Sequence, residues 1–209
     1  MSFPALKLTY FDVPARAEVT RLALTIGGVP FEDHRIERAE WPTLKPTMPY
    51  EQLPILTVDG QVFAQSHAID RYAGILAGLY PIHNPLDALR VDEICDFGEE
   101  IVLLVMSSVG EPDHAKRRAI REEQAKTKFP AMFAMLEARL DKMKGPWLLD
   151  SISIADLSIY CLASNIKTGF WLYLPTDLLD PYPRINAIHD AVAKHPKVAE
   201  WNKEHYQAH

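Results

Sequence analysis

Three short clusters in the first third of the chain carry residue types that could hold and activate a small polar ligand. Tyr10-Phe11 closes an apolar run just ahead of a helical pattern. Gln52-Leu53-Pro54 leads into another apolar run, and Gln65-Ser66 stands between a third run and a second helical pattern. In small α/β sheets ligands bind beyond the carboxyl ends of the parallel strands. A serine at a helix start offers its hydroxyl and backbone N–H groups to a carboxylate. Arg16, Trp41 and Lys45 fall in or beside the intervening loops. Each cluster alone has an ordinary explanation: Ser66 is a good helix cap and Leu53-Pro54 could be a plain turn. Together they describe a polar crescent for an anionic, peptide-like ligand.

The elements that must position these residues alternate over the first 80 positions. Residues 5–10 form a short apolar run ending in an aromatic, which predicts a buried strand. Residues 14–26 place Val19, Leu22, Ala23 and Ile26 at helical spacing, and Gly27-Gly28 ends the pattern. Residues 29–36 read as a second strand. Pro42, Pro46 and Pro49 leave 38–49 as a loop with at most a short helix. Asp59-Gly60 between the runs 55–58 and 62–64 is a hairpin signal. A helix then runs from Ser66 to about residue 79. The order βαβ, loop, ββα predicts a small mixed sheet flanked by helices.

The prolines of 80–85 mark a linker, and beyond it every strong period is helical. Helices are expected over 86–110, over 112–144 with a bend at Pro130, over 153–170, and over 184–194 between Pro183 and Pro196. The domains expected are therefore 1–80, α/β, and 85–209, all-helical. Ser153-Ile154-Ala155-Asp156 has the spacing of a capping box, with Ile152 and Leu157 at the hydrophobic-staple positions. That motif is a folding signal and nothing more.

Composition narrows the chemistry. The chain has 209 residues, 48% of them hydrophobic and 24% charged, with a net charge of -6. No basic face of the kind nucleic-acid binders show is present. Phosphate loops of the GxGxxG or GxxxxGK[ST] type, HExxH and GxSxG are absent, and the eight histidines make no metal spacing. Cys95 and Cys161 form no CxxC. They read as buried small hydrophobes and suit a reducing compartment, most simply the cytosol. The longest aliphatic stretch, 101–106, is far short of a membrane span.

Several ordered motifs resemble a cytosolic glutathione transferase of the tyrosine-using type. They are Leu8-Thr9-Tyr10-Phe11 followed by 14–18, the stretch 50–56 with 58–60, and 65–69. Phe31 to Ile36 and Glu40-Trp41-Pro42 resemble the sigma branch in particular. The resemblance implies a thioredoxin-like N-terminal domain with a mixed sheet (βαβ-ββα) followed by an all-helical C-terminal domain, a homodimer, and no cofactor besides glutathione as co-substrate. It also implies a cis Leu53–Pro54 bond that aims the Leu53 backbone at the cysteinyl part of glutathione.

Carried over residue by residue, Tyr10 supplies the catalytic hydroxyl, as a hydrogen-bond donor to the sulfur, and Arg16 tunes the field at the thiol. Phe11 lies beside the ligand, while Trp41, Lys45 and Gln52 hold its glycine end. Gln65 and Ser66 hold the γ-glutamyl end, and Glu99 reaches the γ-glutamyl amine across the dimer interface. Some sigma-type relatives use the acidic neighbours Asp96 and Glu100 for a metal; no metal is expected here. Phe11, Val13, Val105, Met106 and Gly110 are the candidates to line an apolar electrophile pocket against the helical domain.

Departures from the family pattern bear on function. Glu51 stands where the family usually has Gly, making the loop distorted or more anionic. Val102, Val105 and Ser107 fall where sigma-type prostaglandin isomerases use larger side chains. Tyr50 is either a dimer-locking aromatic or an ordinary loop residue. Three activities compete: conjugation of glutathione to hydrophobic electrophiles, glutathione-dependent isomerisation, and a carrier or lens-crystallin-like role without chemistry.

Overall fold

The structure, a computed structural model, describes residues 2–143 and 145–206. Strand β1 (Leu6–Phe11) buries Leu6, Leu8 and Tyr10. The chain then turns through Ala15, whose φ is 38°, and a 3-10 turn at Ala15–Ala17. Helix α1 (Glu18–Gly27) therefore begins four residues later than the periodicity predicts, because a left-handed residue cannot continue a helix. Gly28, left-handed at φ 66°, ends it. Strand β2 (Glu32–Ile36) is followed by α2 (Trp41–Leu44) and two 3-10 turns, Lys45–Thr47 and Pro49–Glu51. Strands β3 (Ile55–Val58) and β4 (Gln61–Ala64) form the expected hairpin, with Asp59 and Gly60 both at positive φ. Helix α3 (Ser66–Ala77) completes the expected pattern.

The sheet order is β2-β1-β3-β4, with β1 and β2 parallel and the other pairs antiparallel. Helices α1 and α3 pack together at one close approach. A Cβ on Gly27 would stand 2.6 Å from Ala77 Cα and 2.6 Å from its Cβ. Gly27 is thus a packing residue inside α1, whereas Gly28 is its terminator.

The helical remainder comprises α4 (Pro85–Met106), α5 (His114–Lys126), α6 (Lys128–Leu140), α7 (Ile154–Lys167), α8 (Pro183–Ala193) and α9 (Pro196–His205). Segment 112–144 breaks at Thr127, which is non-helical, and not at Pro130. Pro130 sits in the first turn of α6, where a missing N–H leaves no intrahelical bond unmade. Asp113 caps α5 by accepting from Ala115 N and Lys116 N. The capping box of α7 is present as its spacing predicts. Asp156 accepts from Ser153 N, Ser153 Oγ and Leu148 N, each at 2.8 Å, so it also holds the preceding loop.

By packing the chain divides into Met1–Ala88 with Pro196–His209, and Leu89–His195. The expected boundary 85–209 differs at its C-terminal end. Pro196, which the periodicity treats as the fence after 184–194, instead opens a further helix, proline being well suited to a first helical turn. Helix α9 packs on α1: Lys197 Nζ donates to Ile26 O at 2.9 Å, Trp201 Nε1 to Glu18 Oε1 at 2.8 Å, and Tyr206 Oη to Glu18 Oε2 at 2.7 Å. Among the described residues no helix is long and apolar enough to cross a membrane.

Gly27→Ala will lower unfolding free energy in urea by about 1–3 kcal/mol, because the added methyl meets backbone. Asp156→Ala will cost at least about 2 kcal/mol, since three donors lose their buried acceptor at once.

Candidate functional site

The sheet register gathers the sequence clusters at one end of the strands. β1 pairs with β3 as Thr9↔Ile55, and β3 with β4 as Ile55↔Ala64. One residue further along each strand, Tyr10, Pro54 and Gln65 follow one another across the sheet. Phe11 is the last residue of β1, and its ring meets that of Trp41 edge-on at 5.7 Å between centroids. Tyr10 and Phe11 rings are likewise edge-on at 5.5 Å, and the Arg38 guanidinium lies 5.6 Å from the Phe11 ring centre.

Tyr10 is 7% exposed. Burial raises its pKa above the ordinary 10.0, against the pull of a hydrogen bond from the Arg16 backbone N–H and the charges of Arg16, Arg21 and Arg38. The hydroxyl is therefore neutral at physiological pH and accepts from Arg16 N–H, leaving its own proton free to donate. The turn through Ala15 is what brings that N–H back onto the strand residue.

Behind this turn lies Arg21, fully buried. Its guanidinium donates to Val13 O at 2.7 Å and to Phe11 O at 3.2 Å, which fixes both sides of the loop after Tyr10. It pairs with Glu18 and with Asp33, and its Cζ is 5.9 Å from the Tyr10 ring centre. Val13 itself is half-buried.

The remaining clusters lie on the loops as expected. The Lys45 N–H donates to Trp41 O, Met48 N to Lys45 O at 3.1 Å, and Glu51 N to Met48 O at 3.0 Å. These bonds step the chain from Trp41 toward Gln52. Tyr50 and Glu51 are both left-handed, at φ 54° and 51°. Leu53–Pro54 is cis, as the resemblance implies. Gln65 adopts φ 78°, ψ 107° as N-cap of α3, so Ser66 is the first helical residue and not the cap. Gln65 makes no side-chain cap bond, and the Ser66 N–H lies in the first turn of a twelve-residue helix. The positive end of that helix favours an anion.

The glutathione S-transferase N-terminal domain model matches residues 6–74, and the C-terminal domain model matches 99–205. The chain is 34% identical to the hematopoietic prostaglandin D synthase of Gallus gallus over 202 residues, covering 95% of each chain. The chain belongs to the glutathione S-transferase family. It is also 34% identical to glutathione S-transferase 2 of Manduca sexta, over 93% of this chain and 94% of that one. The solved structure of a prostaglandin D synthase from Nilaparvata lugens superposes with a TM-score of 0.86 at 33% identity, covering 96% and 98% of the two chains.

The family's helical-domain positions fare differently. Glu99 is half-buried on α4, with Asp96 and Glu100 exposed beside it. Among the described residues no group of three or more His, Cys, Asp or Glu is placed to hold a metal ion. Val105 is a correction: at 1% exposure it is core, its carbonyl accepting from Arg121 Nη2 at 3.1 Å, so it offers no surface to a ligand. The helical period carried it inward with Ile101. Met106 is 44% exposed and Gly110 is exposed. Val102 is half-buried and Ser107 exposed.

Sequence reading missed Arg21 and Arg38. The one trace of Arg21 is the Glu18-x-x-Arg21 spacing of an i,i+3 ion pair, which elsewhere marks a solvated helix face.

Buried Tyr10 and half-buried Tyr206 set an alkaline limit. Tyr10 and Tyr206 both titrate above the ordinary phenol value, Tyr206 because of burial and then the Glu18 carboxylate it donates to. The folded state keeps these protons longer than the unfolded chain, so their contribution is complete below pH 10 and is lost as pH rises above it. Urea denaturation will show the unfolding free energy falling above pH 10, with a shallower fall in Tyr206→Phe.

Proposed function

We propose that the protein binds glutathione across the ends of β1, β3 and β4, ionises its thiol through Tyr10, and conjugates it to hydrophobic electrophiles. The observation that carries this is the Tyr10 hydroxyl at the end of β1: buried, kept neutral by that burial, and with its proton available to donate. A free thiol of pKa about 8.5 is only a few per cent ionised at pH 7. A hydrogen bond to a charged group stabilises it by about 1.5–3 kcal/mol, and one pKa unit is about 1.4 kcal/mol. One Tyr10 hydrogen bond plus the field of Arg16, Arg21 and Arg38 thus suffices for about two units. The thiol proton leaves to solvent, and the thiolate forms a C–S bond to the electrophile; in a substitution the leaving group departs with its bonding pair, and in an addition the π electrons shift to the distal atom, which takes a proton from solvent.

The other roles follow from the family. Trp41, Lys45 and Gln52 receive the glycine carboxylate, the Leu53 backbone pairs with the cysteinyl unit, and Gln65 with Ser66 and the α3 N-terminus takes the γ-glutamyl carboxylate. Glu99 takes the γ-glutamyl amine in a homodimer; exposed Tyr50, Val62 and Phe63 supply apolar surface for such pairing. Phe11 and Val13, beside Tyr10, meet the electrophile. No cofactor or metal is required. Two buried cysteines far apart in sequence suit the cytosol.

A second reading, glutathione-dependent isomerisation of a prostaglandin-like substrate, is favoured by the synthase names among the relatives. Product separates the two: conjugation consumes glutathione, isomerisation returns it.

Ultraviolet titration of protein-bound glutathione will show the thiol ionising about two units below its free value, and Tyr10→Phe will abolish that shift. The same substitution will lower kcat/KM for an aryl-halide electrophile about 10- to 100-fold, with glutathione affinity nearly unchanged. Glutathione bound without any shift would leave a carrier in place of an enzyme.

A further inference from the structure

Glu51 brings a negative charge into the part of the site assigned to the glycine-end carboxylate. The backbone steps from Trp41 through Lys45 and Met48 to Glu51 by the hydrogen bonds described above, so Lys45 and Glu51 stand on the same short stretch of turns. The left-handed Tyr50 and Glu51 fold the chain back, and Glu51 Oε2 comes to 4.0 Å from Lys45 Nζ. Both side chains keep about half or more of their surface in water, at 48% and 63% exposure. The contact is thus a loose ion pair that an incoming anion can reach and not a buried structural bridge. Its net charge is zero where Lys45 alone would present +1.

We propose that Glu51 is a specificity-determining residue that competes with the glycine-end carboxylate of glutathione for Lys45. The proposal rests on the reading of Lys45 as the glycine-end cation. An arriving carboxylate must share one ammonium with Glu51 and sits within a few ångströms of a like charge, which costs part of the attraction at short range. A thiol peptide whose glycine end is neutral, as an amide or ester, meets no such repulsion and loses only the weakened attraction. This site therefore discriminates less against glycine-blocked thiol peptides than the same site with an uncharged residue at 51.

The test is calorimetric titration of the full-length protein and of Glu51→Gln with glutathione and with its glycine amide, at low and high salt. Gln keeps the side-chain size and the backbone geometry, and the position is exposed, so the variant isolates the charge. Expected is about threefold tighter glutathione binding in E51Q at low salt. The amide should be unchanged, and high salt should shrink the difference. In a double-mutant cycle, Lys45→Gln will cost more glutathione affinity in the E51Q background than in the native protein. Equal changes for glutathione and amide, or no change for either while the native protein binds glutathione, would overturn the proposal and leave the site reading intact. No glutathione binding by the native protein would overturn both.

Discussion

A fully buried guanidinium under the first loop is the constraint on which the rest of this site depends. Arg21 cannot shed its charge, so the fold has to surround it with acceptors. It does so with Glu18, Asp33 and the carbonyls of Phe11 and Val13. Those two carbonyls belong to the loop that follows Tyr10, so neutralising the buried charge and holding the catalytic turn are one requirement. The network extends outward: Asp33 also accepts from Arg35, which reaches Asp12, and Glu18 is completed by Trp201 and Tyr206. A buried carboxylate with one cationic partner would be poorly compensated. Two side-chain donors from the C-terminal end of the chain make up the difference.

Backbone strain collects where the ligand is expected. Of the non-glycine residues at positive φ, Ala15, Glu51 and Gln65 adjoin Arg16, Gln52 and Ser66, and Tyr50 precedes Glu51 in the same turn. Such conformations cost about 1–3 kcal/mol apiece and persist only where surrounding structure enforces them. Ala15 has an identifiable return, since its turn delivers the Arg16 N–H to the Tyr10 hydroxyl. Gln65 breaks the strand into α3 with its side chain outside the cap, which keeps the first N–H groups of that helix for an external acceptor. The scaffold beneath is correspondingly rigid, with Gly27 against Ala77 locking α1 to α3.

The helical unit holds itself together by a different logic, through helix ends satisfied by side chains from elsewhere. Asp156 serves both its own helix and Leu148, and Glu137 of α6 accepts from Arg184 N and Ile185 N at the start of α8. Arg121 ties Ser108 and the Val105 carbonyl at the end of α4 to Leu172 O. Val105 is core because it lies one turn after Ile101 on the inward face, while Met106, one residue on, faces outward.

The sequence by itself determined what depends on neighbours along the chain: the βαβ-ββα order, the Asp59-Gly60 hairpin, the α7 capping box, and the ordered clusters at Tyr10, Gln52-Leu53-Pro54 and Gln65-Ser66. These are written in spacings of two, three and four residues, which periodicity and turn chemistry expose directly. Only the tertiary structure decided that α9 packs with the first unit, that Arg21 is buried, and that the break in 112–144 falls at Thr127. The same holds for the inward turn of Val105 and for Glu51 coming within reach of Lys45. Tyr206 and Glu18 meet across 188 positions of chain. A contact between residues so far apart leaves no period in the sequence, because what selects it is the need of a buried charge for partners, and that need exists only once the chain has folded.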